Sequence, residues 1–263
     1  MQFLSRAPEK VLSETSPFCP NVADENAGPE KASPEGKPDV TVIIPTINEE
    51  AGIGLVLDSI PRVPDLKMEV LVVDTDSTDR TKEIARQKGA RVINEPRRGY
   101  GRAYKTGFEN ALGDIIATLD ADCTYPAEEI PALVKMLRDE KLDFITGDRL
   151  TKMEKGAMSS KHKFGNWVLS TTMNLFFRTG LKDSQSGMWV FRRSILDKLE
   201  LTSDGMAMSE EIKVEAVRKG FKVREVPIHY RPRKGEVKLR SWADGKKNLG
   251  FLFWKKFGRT KKG

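Results

Sequence analysis

Two aspartates, Asp120 and Asp122, directly follow the apolar segment Asp114–Leu119. Carboxylates spaced i, i+2 at the end of a strand can face one cation, or bridge through that cation to a phosphate group. Mg²⁺ combines few carboxylates with substrate phosphates, and Mn²⁺ accepts a similar set of oxygens. An acidic loop that caps a helix is the alternative, because Asp-x-Asp is a common sequence. The pair predicts a metal site only if other polar residues converge on it.

Two further segments carry groups that could bind a nucleotide. Asp74 and Asp76 follow the apolar run Glu69–Val73. A carboxylate there can accept hydrogen bonds from a ribose hydroxyl or a base N–H, and capping of the next helix is the alternative. The segment Arg97–Arg102 combines guanidinium groups with glycines at a helix start, a place that attracts phosphate. A solvated loop explains this segment equally well, so its role stays open.

The elements that would position these residues alternate between nearly apolar strands and helices. Four strands are predicted at Val40–Ile44, Glu69–Val73, Arg91–Ile93 and Asp114–Leu119. This pattern predicts an α/β fold, with a Rossmann-like, mostly parallel sheet and helices on both faces. Ligands of such sheets bind outside the carboxyl ends of the strands. We therefore expect the Pro45–Glu49 turn, the Asp74 segment and the Asp120–Asp122 segment to share one crevice.

The rest of the chain continues the alternation of helices and strands. A helix is predicted over Pro126–Glu140, because apolar residues recur there at helical spacing. A Lys-rich loop follows a strand at Leu142–Thr146. The later predicted elements are a helix near Asn166–Arg178, a strand at Ser186–Phe191, a helix at Glu210–Lys219, and strands over Lys222–Tyr230 with a break at Pro227.

Composition divides the chain of 263 residues into three predicted parts. Residues 1–38 are polar and Pro-rich and are expected to form a disordered leader. Residues 39–245 are expected to form a single catalytic domain, and residues 246–263 a basic, aromatic segment. That segment suits an interfacial helix on an anionic membrane, and equally a terminal helix packed on the domain.

The net charge of +7 suggests an anionic partner without choosing among nucleic acid, acidic lipid and phosphorylated substrate. The two cysteines, Cys19 and Cys123, indicate neither a disulfide framework nor a zinc site, so a reducing cytoplasm is the default. The start does not resemble a signal peptide, and no run approaches the ~20 apolar residues of a membrane span. We expect a cytoplasmic protein that can lie peripherally on the cytosolic face of a membrane.

Several short motifs follow one another along residues 40–245. They are Val42–Glu50, Val72–Asp79, Gly99–Ala103, Leu119–Asp122, Gly147–Arg149, Asp183–Gly187, Glu210–Glu211, Glu225–Ile228 and Arg233–Leu239. In this order they resemble glycosyltransferase family 2, and within that family the chain is similar to the dolichyl-phosphate mannose and glucose synthases.

The resemblance implies a GT-A fold, a GDP- or UDP-sugar donor and Mg²⁺ or Mn²⁺, with Asp120 and Asp122 as metal ligands. The catalytic residues are expected to be Asp122, Arg149 and Glu211. The acceptor phosphate is expected at Arg149, Lys161, Lys163 and Ser186. The nucleotide-sugar is expected at Pro45, Thr46, Asn48, Glu49, Asp74, Asp76, Arg102, Asp120, Ala121, Asp122, Arg233 and Lys238, the last two from a loop that closes over the donor.

The chain departs from the family pattern at four points. Asp74-Thr75-Asp76 stands where Asp-Asp-Gly is more usual, so Asp76 is expected to share the nucleoside contact. Val237 replaces the usual Ser of the closing loop. Cys123 follows the acidic pair where a polar residue often assists the metal. The membrane-spanning helices that many relatives carry after the catalytic domain are missing from this sequence.

The acceptor chemistry separates the possible functions. A hydroxyl acceptor needs a general base, for which Glu210 and Glu211 are candidates. A phosphate monoester is already anionic near pH 7, since its second pKa is about 6, and needs positive groups instead. The Lys-rich loop at Lys152–Lys163 and Arg149 favour inverting transfer of a hexose to a polyprenyl phosphate. The alternatives are a soluble acceptor (a phosphorylated metabolite or a glycan) and a nucleic-acid binder. Only the charge suggests the latter, so we expect no nucleic acid partner.

Overall fold

One sheet of seven strands organises the part of the chain that the computed structural model describes, residues 36–235 and 241–258, with side chains from residue 244 onward in the second range. The strand order is β3-β2-β1-β4-β6-β5-β7, and only β6 runs antiparallel to its neighbours. The predicted α/β, mostly parallel sheet is therefore confirmed. The strands are β1 (Val40–Thr46), β2 (Met68–Asp74), β3 (Arg91–Asn94), β4 (Ile115–Thr118), β5 (Phe144–Met153), β6 (Trp189–Arg192) and β7 (Val223–Tyr230).

Helices cover both faces of the sheet because β1, β2 and β4 bury apolar side chains on both sides. One core contains side chains of α1 and α4, and the other contains side chains of α3 and α6. A third cluster joins α5, α6 and α7. The helices are α1 (Glu50–Ser59), α2 (Thr81–Gln87), α3 (Tyr100–Asn110), α4 (Ile130–Asp139), α5 (Ser160–Phe177), α6 (Met208–Arg218) and α7 (Ser241–Phe257), with 3₁₀ turns at Ala127–Glu129 and Arg193–Lys198.

Several element boundaries differ from the sequence prediction, and two of these differences have a clear physical reason. Helix α5 begins at Ser160, inside the predicted Lys-rich loop, because the Ser159 side chain caps it by accepting a hydrogen bond from the His162 amide. Strand β7 continues through Pro227 instead of breaking there. It is an edge strand, and a missing ladder donor is tolerated at an edge.

Only part of the predicted domain division can be compared with the structure, because residues 1–35 and 236–240 are outside the described ranges. The leader, residues 1–38, falls outside them apart from its last three residues, and Lys238 also falls outside. The predicted boundary after residue 245 lies within α7, whose Leu252 packs in the cluster with Leu169 of α5 and Val214 of α6.

The fold brings the carboxyl ends of β1, β2 and β4 to one edge. The Thr75 amide donates to the Thr46 carbonyl at 2.8 Å, which joins the turns after β1 and β2. A Cβ at Gly52 of α1 would lie 2.2 Å from the Ala121 carbonyl oxygen. Only glycine therefore lets the first turn of α1 pack directly against the Asp120–Asp122 segment.

Candidate active site

Asp74 lies fully buried at the end of β2, and both of its carboxylate oxygens have partners. Thr46 Oγ1 donates to Oδ2 at 2.8 Å, and the Ser77 amide donates to Oδ1 at 2.8 Å. Asp74 thus fixes the relative position of the turns after β1 and β2. A direct contact of Asp74 with a nucleoside stays a prediction.

Asn48, Glu49 and Asp76 form the rim of the same crevice. The Asn48 Oδ1 accepts from the Thr78 amide at 2.8 Å. Asp76 is exposed and adopts a φ of 49°, a left-handed conformation that suits the glycine more usual at this place. Asn94 Nδ2 donates to its carboxylate at 3.0 Å. The predicted nucleoside residues after β1 and β2 therefore do meet in space, and both Asn48 and Asp76 are exposed to solvent.

The acidic pair lies at the end of β4, as predicted. The Oδ1 of Asp122 accepts from the Thr124 amide at 3.1 Å and from Thr124 Oγ1 at 2.6 Å. Burial, and next the negative charge of Asp122, raise the pKa of Asp120 to about 7. The charges of Arg149 and Arg233 oppose that rise. Two poorly solvated carboxylates repel each other when both are ionised, so a nearby positive charge stabilises the pair.

Arg233, in the segment after β7, supplies part of this positive charge. Its Nη2 lies 3.0 Å from Glu49 Oε1, and its Nη1 lies 3.3 Å from Asp122 Oδ2. The Lys234 amide also donates to the Asp122 carbonyl at 2.9 Å, which holds this segment along the acidic pair. The guanidinium group lies between the carboxylates of Glu49 and Asp122, so a cation is favoured at this position.

The donor set fits a divalent metal that takes substrate phosphates as its other ligands. Across residues 36–235 and 241–258, no group of three or more His, Cys, Asp or Glu side chains could hold a metal alone. Asp120 and Asp122 supply two carboxylates, which matches the way Mg²⁺ combines few protein oxygens with phosphates. These two residues are the ones that would hold Mg²⁺ or Mn²⁺.

Arg149 is buried at the carboxyl-terminal part of β5, where an acid holds it in a fixed position. Its Nε and Nη2 donate to the two carboxylate oxygens of Asp183 at 2.7 and 2.8 Å. Its guanidinium also lies over the Tyr230 ring, with Cζ 5.4 Å from the centroid. The Arg149 charge keeps the pKa of Asp183 below its usual range, against the effect of burial.

Lys213 of α6 organises the loop that holds Asp183. Its fully buried Nζ donates to the carbonyl oxygens of Asp183, Ser184 and Ser186 at 3.1, 2.7 and 2.8 Å. Burial lowers the pKa of Lys213 to about 7. The Ser186 hydroxyl, predicted to bind the acceptor phosphate, is buried and has no hydrogen-bond partner within the described part of the chain. A ligand contact would satisfy it.

Glu210 and Glu211, neighbours on α6, face different surroundings. The Glu211 carboxylate accepts from the amides of Thr202 and Ser203 and from Lys255 Nζ at 3.0, 2.8 and 3.0 Å. These contacts hold Glu211 against the loop before α6 and against α7, so its predicted catalytic role has no geometric support. Burial raises the pKa of Glu210 to about 8.

Glu210 instead faces the 183–187 loop. Its Oε1 accepts from Gln185 Nε2 at 2.5 Å, and its buried Oε2 has no partner in residues 36–235 or 241–258. Of the two acids, Glu210 is therefore the one placed beside the predicted acceptor residues.

Arg102 lies at the start of α3 but binds an acid on another loop. Its Nη2 lies 3.2 Å from Asp204 Oδ1. A Cβ at Gly99 or Gly101 would lie 2.2 Å from the Asp204 carbonyl oxygen or 2.5 Å from that of Ser203. The glycines thus let α3 pack against this loop, and the structure does not direct Arg102 toward the acidic pair. Its contact with the donor stays a prediction.

A cavity of about 670 Å³ lies between α5 and α7 and includes Arg149 in its wall. Lys161 lines the cavity as predicted for the acceptor region, while Lys163 is exposed and does not. Most of the wall is apolar, with the side chains of Met158, Phe164, Val168, Leu169, Met206 and Leu249.

Helices α5 and α7 also carry exposed aromatic side chains. Phe164 and Trp167 of α5 are each 62% exposed, and Trp254 and Phe257 of α7 are 54% and 67% exposed. Within the described ranges, no helix has the length and apolarity needed to cross a membrane.

Several residues of the site were not singled out from the sequence. Lys213, Asn166 and Asn248 carry no recognisable motif, and the structure buries all three on helices α6, α5 and α7. Asp183 and Gln185 belong to a segment noted only for its resemblance. The sequence signal that could have pointed to Lys213 is its i, i+3 spacing from Glu210 on one predicted helix.

The sequence model of Glycosyl transferase family 2 matches residues 41–200. The low-salt glycan biosynthesis hexosyltransferase Agl6 of Haloferax volcanii is 40% identical over 82% of this chain, which spans only 53% of that relative's length. The dolichyl-phosphate hexose transferase of the same organism is 37% identical over 79% of this chain and 89% of its own.

Glucosyl-3-phosphoglycerate synthase of Mycobacterium tuberculosis, solved with Mn²⁺, UDP and phosphoglyceric acid, superposes with a TM-score of 0.69. Its identity is 22%, over 86% of this chain and 81% of that one, so this similarity shows the fold alone. The superposition shows that the chain has the GT-A fold. The match over residues 41–200 shows that the chain belongs to glycosyltransferase family 2.

Proposed function

We propose that this enzyme transfers a hexose, mannose or glucose, from a GDP- or UDP-sugar to a polyprenyl phosphate, with inversion at the anomeric carbon. The observation that carries the proposal is the largely apolar cavity of about 670 Å³ whose wall contains Arg149. A hydrocarbon chain with a phosphate at one end suits such a wall. The relative named dolichyl-phosphate hexose transferase supports the same class of acceptor.

The donor end of the site is assigned to the crevice after β1, β2 and β4. Asp120 and Asp122 would hold the divalent cation, which would supply positive charge to stabilise the leaving nucleoside diphosphate. Arg233 pairs with Asp122 and Glu49 in this structure, and in this proposal it exchanges these partners for donor phosphates. Lys238 is assigned to the same task by the family resemblance.

The acceptor end needs positive charge and no base. The phosphate oxygen is already ionised near pH 7, so it can attack the anomeric carbon without losing a proton. Arg149 and Lys161 offset its repulsion from the donor diphosphate. Glu210, whose pKa burial raises to about 8, keeps its proton at neutral pH and adds no negative charge beneath the acceptor.

A transfer assay tests the proposal. The full chain is incubated with Mn²⁺ and labelled GDP-mannose or UDP-glucose, with either farnesyl phosphate or 3-phosphoglycerate as acceptor. We expect labelled hexose in the organic phase only with farnesyl phosphate, and none with Asp122→Ala. Transfer to 3-phosphoglycerate alone would replace the lipid acceptor with a soluble one, of the kind bound in the structural neighbour's complex with phosphoglyceric acid.

We also propose that α5 and α7 rest on an anionic membrane at its cytosolic face. Trp254 and Phe257 are more than half exposed, and basic residues such as Lys247 and Lys256 accompany them on α7. This combination suits an interfacial helix. Flotation with phosphatidylglycerol vesicles should be lost in a Trp254→Ser, Phe257→Ser double variant. Leu55→Ser, which removes an apolar side chain 47% exposed on α1, should float like the wild type.

A further inference from the structure

Tyr125 is a buried residue that follows the acidic pair and contacts two other parts of the fold. Its hydroxyl oxygen accepts a hydrogen bond from the Gly187 amide at 2.7 Å. Its ring packs on the ring of Tyr230, with the centroids 5.6 Å apart and the planes inclined at 57°. Tyr125 therefore joins the segment after β4 both to the 183–187 loop and to the end of β7.

Both partners of Tyr125 belong to the support of Arg149. The loop that contains Gly187 also contains Asp183, whose carboxylate accepts two hydrogen bonds from the Arg149 guanidinium. Tyr230 supplies the ring over which the same guanidinium lies. Arg149 is thus held by two groups, and Tyr125 contacts the loop of the first and the ring of the second.

Gly187 is the point where this loop meets the donor side of the site. A Cβ at Gly187 would lie 2.2 Å from the hydroxyl oxygen of Tyr100, the first residue of α3, and 3.4 Å from that of Tyr125. The Gly187 carbonyl also accepts from Thr118 Oγ1, at the end of β4, at 2.7 Å. Three donor-side elements therefore converge on one glycine, and a shift of this junction would move the loop relative to the acidic pair.

We propose that Tyr125 is a positioning residue for hexose transfer, which fixes the distance between the acidic pair and Arg149. This inference rests on the proposed function, in which the acidic pair belongs to the donor end and Arg149 to the acceptor end. Reacting atoms must be held about 3–3.5 Å apart, and a misplacement of about 1 Å can cost about a hundredfold in rate. In this proposal Tyr125 contacts neither substrate and acts through the two supports of Arg149.

Two matched substitutions separate positioning from a loss of stability. Tyr125→Phe removes the hydroxyl and keeps the ring on Tyr230. Thr41→Val is the control, because the buried Thr41 Oγ1 also accepts from a glycine amide, that of Gly113, at 2.8 Å. Thr41 is the second residue of β1, at the edge of the sheet opposite the site. Each change leaves a buried amide without its acceptor, so Thr41→Val should lose at least as much stability in urea as Tyr125→Phe.

Initial rates are measured with the full chain, Mn²⁺, farnesyl phosphate and the better of the two donors, together with the share of hexose released to water. We expect Tyr125→Phe to lower kcat by at least about tenfold while both KM values change by less than about twofold. The released share should rise, because the bound substrates are held out of line. Thr41→Val should leave kcat, KM and this share unchanged.

A double variant tests whether Tyr125 acts through Arg149. When Tyr125→Phe is combined with Arg149→Lys, kcat should fall by less than the product of the two separate effects, since both changes disturb the same group. Independent effects, which multiply, would contradict the proposed route.

The outcomes also distinguish this inference from the proposed function. If the wild type transfers hexose to farnesyl phosphate and Tyr125→Phe equals it in kcat and released share, or Thr41→Val shows the same losses, the assignment of Tyr125 is wrong and the lipid acceptor stands. If hexose passes only to 3-phosphoglycerate, the lipid acceptor is wrong, and the same comparison with that acceptor decides the role of Tyr125. If neither acceptor receives hexose, both proposals are rejected.

Discussion

Replacing Glu210 by Gln should make the protein more stable at neutral pH. Burial raises the pKa of Glu210 from an ordinary 4.5 to about 8. Between these two values the unfolded carboxyl has lost its proton while the folded one keeps it. The folded state thus binds more protons, and the free energy of unfolding falls as pH rises through this window. Glutamine copies the shape of the protonated acid and does not titrate.

The size of the effect follows from the distance between pH 7 and the ordinary pKa. At about 1.4 kcal/mol per pH unit, the 2.5 units above 4.5 correspond to about 3 kcal/mol at pH 7. Glu210→Gln should recover up to this amount at pH 7 and nothing near pH 4.5. Lys213, whose pKa burial lowers to about 7, interacts electrostatically with Glu210, so the difference between the two proteins reports Glu210 together with this interaction.

Urea unfolding of wild type and Glu210→Gln at pH 5, 6, 7 and 8 measures this difference. The neighbouring Glu211→Gln is the matched control with the opposite sign. It weakens contacts with Thr202, Ser203 and Lys255, and should lower stability by about 1–3 kcal/mol. Parallel pH profiles for wild type and Glu210→Gln would refute the reasoning that burial keeps this acid protonated.

Four further substitutions, one of them a control, test other parts of the account. Asp122→Asn should lower turnover at least about a hundredfold and raise the Mn²⁺ concentration needed for half-maximal rate, as an initial-rate titration would reveal. Arg149→Lys should raise the acceptor KM and lower the free energy of unfolding by about 2–4 kcal/mol, because lysine cannot make the buried two-bond pair; an unchanged KM would contradict its role. Gly107→Ala should destabilise by about 1–3 kcal/mol, since its Cβ would lie 2.6 Å from Ile43 Cγ2. Gly250→Ala on α7 meets open space, so urea unfolding should show no loss.

The sheet could be predicted because each of its first strands is a short run of mostly apolar residues, which is visible in the local sequence. Val40–Ile44 and Asp114–Leu119 are apolar runs of strand length, and both lie in buried parallel strands or directly beside them. The rule that ligands bind at the carboxyl ends of such strands then placed Asp120 and Asp122 beside the turn after β1. Backbone pattern and topology were sufficient to predict that these segments meet at one edge of the sheet.

The acceptor side could not be predicted in the same detail because it depends on tertiary burial. The Ser209–Lys213 stretch of α6 has the composition of a solvated helix face, yet Glu210, Glu211 and Lys213 are all fully buried. Sequence alone does not tell which acid faces the 183–187 loop and which faces α7. Lys213 is stabilised by three carbonyl oxygens from residues about thirty positions away, and no local pattern encodes that contact.

Chemical identification of the transfer product tests the central claim most directly. The full chain is incubated with Mn²⁺, the better of the two donors and farnesyl phosphate, and the organic-phase product is analysed by tandem mass spectrometry and by NMR of the anomeric centre. The account predicts a hexose joined to the phosphate oxygen of the lipid, with the anomeric configuration inverted relative to the donor. A hexose found on a hydroxyl group, or released only as free sugar, would contradict it.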